Sequence, residues 1–321
     1  MKCITKKGFT LVELMIVIAI IGVLATALST GVTKLMEYAR TAKCKANLKN
    51  LMLATQNYSV DHGHYPAAGS FEWSPWNDWG DERKPIYRGE RAWVAWTLKS
   101  GSGTWPWDSG SKTVKHGQEM ARATFFGERA YISLTNGTLW ELAGKDTSIY
   151  VCEAHNREAK KMLNPQTEKI YRSYVMNHRF RWDYPDGNKG NRRSEDGEPK
   201  IGNSWLWATD DATMDGRASI RLLFAEIPVL KSREAYQNEG GKYADSVLES
   251  NEPIGFNHFV GRKWVAHVVF LDGHVEGLIL PSSGKAGKPD YSGTHKSDLE
   301  RLTEQLCNAT EIESNLREKM R

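Results

Sequence analysis

A single carboxylate, Glu13, stands inside an otherwise apolar run from Phe9 to Ser29, and Lys2, Lys6 and Lys7 precede that run without any acid. On insertion scales an acid at mid-membrane costs ~2.5–3.5 kcal/mol, and less near the interface, so such a group generally has a function and a partner. The competing reading is a glutamate that merely reaches up to the headgroups.

Other reactive side chains are more scattered. Cys3, Cys44, Cys152 and Cys307 form no C-x-x-C pair, which argues against the usual zinc or redox motif. In an oxidising compartment one disulfide is permitted among Cys44, Cys152 and Cys307; the sequence does not choose the pair, and three reduced thiols fit equally well. Asp210, Asp211 and Asp215 flank a turn and offer oxygen ligands to Ca²⁺, but the D-x-D-x-D-G frame and its terminal Glu are missing. The nine histidines show no ligand spacing. No metal or cofactor is therefore expected, with calcium as the one low-ranking option.

Seven of the twelve tryptophans crowd between Trp73 and Trp107: Trp73, Trp76, Trp79, Trp93, Trp96, Trp105 and Trp107. Indole faces beside Asp, Asn and Arg suit sugar stacking, and they equally suit a core built from few residues. Enzyme motifs fail: there is no G-x-S-x-G, H-E-x-x-H or P-loop. Asp108-Ser109-Gly110 and Ser109-x-x-Lys112 lack the companions their chemistries need. With 43 Lys+Arg against 39 Asp+Glu, no basic field points to nucleic acid. A non-enzymatic protein follows.

The elements that carry these groups can be read from periodicity. Phe9 to Ser29 is 21 residues, and ~20 helical residues span a ~30 Å hydrocarbon core. The flanking lysines place the N-terminus in the cytoplasm and the rest on the far side. Leu35, Ala39, Ala42, Ala46, Leu51, Ala54 and Tyr58 continue the apolar spacing, no proline occurs before Pro66, and His62-Gly63 supplies a stop. One helix follows: membrane-spanning over 9–29, amphipathic over 30–62.

Trp264–Leu271 and His274–Leu280 are β-prone runs around Asp272-Gly273, which predicts a tight hairpin with a type I′ turn. Trp264, Ala266, Val268 and Phe270 then share one face. Ser148–Cys152, Tyr171–Asn177 and Ser219–Glu226 are further strand candidates. Arg179–Lys200 reads as a loop insertion, and 282–296 as a linker. Ser297-x-x-Glu300 reads as a capping box opening an amphipathic helix over 297–321, with Leu299, Leu302, Leu306, Ile312, Leu316 and Met320 on one stripe. That stripe docks on the body of its own subunit or on a partner. The fold class is α+β: a long N-terminal helix on an antiparallel sheet, with loop insertions and a C-terminal helix. The globular part is 63–281.

Lys6-Lys7-Gly8-Phe9-Thr10-Leu11-Val12-Glu13-Leu14 resembles the processing motif of type IV prepilins and type II secretion pseudopilins. The resemblance implies a pilin-like fold, a leader of residues 1–8, and cleavage between Gly8 and Phe9 by a prepilin peptidase that also N-methylates Phe9. It also implies use of Glu13 in assembly with other pilin subunits at the inner membrane. Ala42-Lys43-Cys44-Lys45-Ala46-Asn47-Leu48, Tyr150-Val151-Cys152, Ser173-Tyr174-Val175-Met176-Asn177, Phe224-Ala225-Glu226 and Phe270-Leu271-Asp272-Gly273-His274-Val275 resemble a large-pilin group of planctomycetes and verrucomicrobia. In that group a His precedes the Asp-Gly by a fixed short interval; here His258 lies 14 and His267 five positions before Asp272.

The rival to prepilin processing is a secretory signal, since Ala25-Thr26-Ala27 fits the small-x-small rule. The expectation is a major or minor subunit of a type IV pilus or secretion pseudopilus, its body periplasmic or on a surface filament. The alternative is a membrane-anchored or fibre-tip adhesin that binds glycan through the Trp-rich face.

Overall fold

The computed structural model describes residues 9–63, 65–66, 68, 92–94, 104–108, 113–115, 126–164, 166–180, 218–238, 246–248, 250–281, 288–291, 293 and 295–320, without the side chains of several of them. Leader residues 1–8, Cys3, Trp73, Trp76, Trp79, Trp96, the 181–200 insertion, Ser109, Gly110, Lys112 and the Asp210, Asp211 and Asp215 group lie outside the described residues.

Helix α1, Leu11–His62, is 52 residues long, about 78 Å at 1.5 Å per residue. Thr10 caps its start, and Gly63 closes it by donating its amide to Ser59 O at 2.8 Å. Its two halves differ. Phe9, Leu11, Val12, Leu14, Ile16, Ile20, Val23 and Leu24 are exposed, whereas Cys44, Asn47, Leu48, Leu51, Met52, Ala54, Thr55 and Tyr58 are buried. Among the described residues no helix is long and apolar enough to cross a membrane. The described side chains of this apolar stretch end at Thr26, short of Ser29, where the run in the sequence ends.

The buried stripe of α1 differs from the expected one. Leu51, Ala54 and Tyr58 point inward, but Leu35, Ala39, Ala42 and Ala46 are exposed. Cys44, Asn47 and Leu48 set the face that meets the body. A pattern drawn from apolar residues alone misses it, because two of those three positions are buried through hydrogen bonds.

Strands β1 (Thr104–Asp108) and β2 (Thr113–Lys115) form a separate two-stranded sheet. The main sheet contains β3 (Tyr174–Asn177), β4 (Leu222–Glu226), β5 (Val247–Leu248), β6 (His258–Val260), β7 (Lys263–Phe270) and β8 (Val275–Ile279) in the order β5-β3-β4-β7-β6, with β8 also on β7. It is mixed rather than purely antiparallel, because β5 runs parallel to β3. Val265 pairs with both His258 and Ile279, so β6 and β8 occupy opposite edges of β7. Strand β4 pairs with Val268–Phe270 opposite β8. Strands β4 and β6 therefore follow one another along the same edge of β7.

Each face of this sheet is covered by helix. Leu48, Leu51 and Met52 of α1 share a core with Trp93, Tyr150, Tyr174, Met176, Phe224 and Val269. Val175, Ala225, Ala266, Val268 and Phe270 share another with Leu299, Leu302, Leu306 and Leu316. The period-two face expected on β7 is this second layer, with Trp264 packed at its edge. Full burial of a Leu or Met is worth about 1.5–3 kcal/mol, so the last third of α1 is firmly seated.

Local chemistry changed several expected elements. Residues 148–152 do not form a strand: Thr147–Tyr150 is a 3₁₀ turn, capped by Asp146, which accepts from the Ser148 amide and hydroxyl at 2.7 Å each. Strands over 171–177 and 219–226 start late, at Tyr174 and Leu222, the second after a 3₁₀ turn at Ala218–Ile220.

Leu271, Asp272, Gly273 and His274 connect β7 to β8, and Phe270 and His274 close a loop around Leu271-Asp272-Gly273. Gly273 N donates to Phe270 O at 2.9 Å, and Phe270 N to His274 O at 3.0 Å. Gly273 has φ +88°, and Asp272 does not have positive φ. A type I′ turn needs positive φ at both positions. A type I turn followed by a left-handed glycine relieves Asp272 of that strain.

The terminal helix is two helices. Among the described residues four short helices come before them, α2 (Gly127–Thr135), α3 (Leu139–Leu142), α4 (Glu153–Ala159) and α5 (Arg233–Asn238); α6 is Lys296–Cys307 and α7 is Ser314–Lys319. Ala309 takes φ +52° between them and breaks the run. His295, not Ser297, is the N-cap of α6, and no side-chain capping bond forms there. Of the expected linker, residues 282–287 lie outside the described residues. Its later part is tied down: Phe256 N donates to the Tyr291 hydroxyl at 2.8 Å, and Lys231 Nζ lies 2.7 Å from Asp290 Oδ1.

Candidate functional site

Two places carry concentrated chemistry. At the N-terminus, Thr10 is extended, with φ −84° and ψ 151°, and its hydroxyl accepts from the Glu13 amide at 3.3 Å. Glu13 Oε2 in return accepts from the Thr10 amide at 2.9 Å and the Thr10 hydroxyl at 2.8 Å. This reciprocal box satisfies amides that a helix start leaves without partners. Gly8 lies outside the described residues. Phe9 is exposed at the head of the helix.

The second place was not anticipated. Cys44 on α1, Cys152 just before α4, Glu226 at the end of β4 and His258 at the start of β6 are all buried, and one ligating atom from each lies within 4.8 Å of every other. The point of meeting is the seam on β7 where β4 stops and β6 begins.

Local structure explains the convergence. Buried Asn47 donates to Ser148 O at 2.9 Å and Val151 O at 3.1 Å, which holds the segment leading to Cys152 against α1. Gly255 N donates to Glu226 O at 2.7 Å. A Cβ at position 255 would lie 2.3 Å from Ile227 O, so a side chain there would push away the stretch that delivers Asn257 and His258.

Within the cluster the Cys44 thiol donates to Glu226 Oε1 at 2.6 Å, and the Tyr174 hydroxyl donates to Cys44 Sγ at 3.3 Å. His258 Nε2 is 3.3 Å from Cys152 Sγ and 3.1 Å from Glu226 Oε1. His267 Nδ1 lies 3.1 Å from the same carboxylate oxygen, and Asn257 donates to Glu226 Oε2 at 3.1 Å. On its other side, His258 Nδ1 faces Thr41 Oγ1 at 3.4 Å and Glu37 Oε1 at 3.8 Å.

The electrostatics follow from burial and from these partners. Burial works against a charge on Glu226, but the charge and hydrogen bonds of His258, then His267, outweigh it and hold the carboxyl well below its usual range. Burial likewise lowers His258, yet Glu226 and Cys152 outweigh that and raise it to about 11. Burial, Cys152 and Glu226 push Cys44 well up. For Cys152 burial and the charge of Glu226 raise the thiol, but the neighbouring Cys44 and the hydrogen bond and charge of His258 outweigh them and bring it to about 7.

The sequence candidates fall differently. Cys44 and Cys152 meet, whereas buried Cys307 belongs to the opposite core; among the described residues there is no disulfide. Trp93 is fully buried, its Nε1 donating to Ser246 O at 3.2 Å and its ring in contact with Tyr150 and Phe224, so it belongs to the core and not to an exposed sugar-binding face. Asp272 sits in the hairpin loop with its carboxylate 2.6 Å from His274 Nδ1. Glu226 and His258 were missed as site residues. The available signal was an acid closing the apolar run Leu222–Ala225.

Comparison with known proteins places the likeness at the N-terminus. Residues 5–29 match the prokaryotic N-terminal methylation motif. Residues 34–125 match a family described as a protein of unknown function (DUF1559). The chain is 41% identical over 61 residues to the competence protein ComGC of Halalkalibacterium halodurans, covering 19% of this chain and 60% of that protein. It is 39% identical over 60 residues to the type IV major pilin protein PilA of Myxococcus xanthus, covering 19% and 27%. It is also 39% identical over 61 residues to the type II secretion system core protein G of Escherichia coli, covering 19% and 42%. The chain thus covers less than two thirds of each of these relatives. No solved structure matches it. Through its N-terminal segment, the chain is similar to the prokaryotic N-terminal methylation motif and to proteins of type IV pili, competence and type II secretion.

Proposed function

We propose that this chain is a structural subunit of a type IV pilus or a type II secretion-like pseudopilus. The observation that carries the reading is the division of α1. One continuous helix is seated on the sheet from Cys44 to Tyr58 and exposes an apolar surface from Phe9 to Leu24. An apolar helical surface of that extent needs lipid or other apolar helices around it. The 21-residue run to Ser29 is long enough for a membrane before assembly, and a bundle of such helices serves the same end within a filament. The methylation motif over residues 5–29 supports processing at Gly8–Phe9 and N-methylation of Phe9. The lysines before the run favour a cytoplasmic N-terminus, an inner-membrane precursor and a body on the far side. The other partners are a prepilin peptidase and further pilin-like subunits.

Fractionation after mechanical shearing tests this reading. The processed chain is expected in the sheared filament fraction or in a membrane-spanning pseudopilus, cross-linked to its neighbours through the first half of α1. Cysteines introduced at exposed positions such as Ile16 and Ile20 that never cross-link to another pilin-like chain would contradict it.

A further inference from the structure

We infer that Cys44, Cys152, Glu226 and His258 form a structural metal site whose best-fitting occupant is Zn²⁺. Two thiolates, one imidazole and one carboxylate are a donor set that zinc accepts, and all four are buried, as in closed structural sites. With metal–ligand bonds of about 2.0–2.3 Å, tetrahedral geometry separates neighbouring ligand atoms by about 3.3–3.8 Å. The Cys152 Sγ–His258 Nε2 distance of 3.3 Å and the His258 Nε2–Glu226 Oε1 distance of 3.1 Å are already close to that. The Cys44 Sγ–Glu226 Oε1 edge, 2.6 Å, is the thiol hydrogen bond and lengthens when a metal ion replaces that proton.

The surroundings supply what a metal-bound histidine requires. A ligating imidazole presents its other nitrogen to a carboxylate, hydroxyl or carbonyl. His258 ligates through Nε2, and its Nδ1 faces Thr41 and Glu37. Glu37 Oε1 is buried without a hydrogen-bond partner of its own. Its Oε2 takes Arg40 at 3.1 Å and Arg157 at 3.2 Å, so the carboxylate is already oriented. Asn257 and His267 fix Glu226, and Tyr174 supports Cys44.

The four ligands come from α1, the start of α4, β4 and β6, so one ion fastens the assembly helix to the sheet it rests on. Binding displaces the two thiol protons and the proton on His258 Nε2, leaving two thiolates, a neutral imidazole and the carboxylate as ligands.

The test is metal analysis of the full chain purified in detergent, first as isolated from its bacterial host without reductant, then after reduction and reconstitution with Co²⁺. The expected result is about one zinc per chain as isolated. The Co²⁺ form should show an intense tetrahedral d–d spectrum with a thiolate-to-cobalt charge-transfer band, which requires no variant to fold. Cys44→Ser and Cys152→Ser should each lose that band, whereas Cys307→Ser should keep it. A Cys44–Cys152 disulfide found by peptide mass spectrometry in the as-isolated protein overturns the inference. So does a reduced wild-type chain that binds no Co²⁺, or a charge-transfer band equally strong in Cys44→Ser and Cys152→Ser.

Discussion

Glu13 Oε2 accepts from both the amide and the hydroxyl of Thr10, at 2.9 and 2.8 Å, so the lone acid of the apolar run is engaged within its own helix before any neighbour approaches. On the proposed reading, assembly is an exchange in which a methylated Phe9 amine from an adjoining subunit competes with the cap. In a low-dielectric helix bundle a full positive charge attracts the carboxylate more strongly than the neutral amide and hydroxyl donors of Thr10 do. Glu13→Gln keeps an acceptor for the cap but removes the charge, and Glu13→Leu removes both. Both variants should reduce sheared filaments strongly while cleavage after Gly8 persists. Wild-type filament yield from Glu13→Gln would mean that capping is the residue's whole role.

Gly273 gives a test of the hairpin. Its φ of +88° is accessible to glycine and strained for a β-branched side chain, although space is not limiting, with Met52 Cγ 3.9 Å from a hypothetical Cβ. Gly273→Val should lower unfolding free energy by more than ~1 kcal/mol in urea titrations of the full chain in detergent. Gly273→Asn should cost less, because Asn tolerates this region better. Equal midpoints for wild type and Gly273→Val would contradict the loop geometry.

Trp93 bears on the choice between core and ligand surface. Buried between Tyr150 and Phe224, it belongs to the layer under α1, so Trp93→Ala should destabilise the body by about 3–5 kcal/mol. A stable Trp93→Ala chain that merely lost glycan binding on an array would reverse that assignment.

His155 should impose an acid limit on stability. It is buried, with Nδ1 2.9 Å from Ser173 Oγ, and burial lowers its pKa from 6.5 to about 4. Between those values the unfolded chain binds a proton that the folded chain refuses. This contribution is complete above about pH 6.5 and falls as pH drops towards 4, by on the order of 3 kcal/mol in total. His155→Gln should flatten the pH dependence of the urea midpoint over that window. An unchanged slope would show that His155 does not titrate as a buried neutral group.

The parts of this molecule that were readable from sequence are those whose signal is local. Helix α1 runs to its expected stop because no proline interrupts it and Gly63 caps it. The β7 face reads correctly because Ala266, Val268 and Phe270 alternate with period two. The buried stripe of α1 was misplaced because Cys44 and Asn47 point inward for polar reasons. The terminal helix was drawn through Ala309, whose left-handed turn no apolar spacing announces. The buried cluster was hidden most thoroughly. Its members are spread from Cys44 to His258, and only the succession of β4 and β6 along one edge of β7 unites them. Cys44, Cys152 and Glu226 do lie in short segments that stood out in the sequence, but nothing in those segments shows that they meet.

The most direct test of the whole account is the intact mass and N-terminal peptide of the chain recovered from the membrane or filament fraction. Prepilin processing predicts a mature chain that begins at Phe9 and carries one N-methyl group, with Gly8→Val leaving the leader attached. A chain beginning at Leu28, after Ala25-Thr26-Ala27, would be the product of a secretory signal peptidase and would contradict the account at its root.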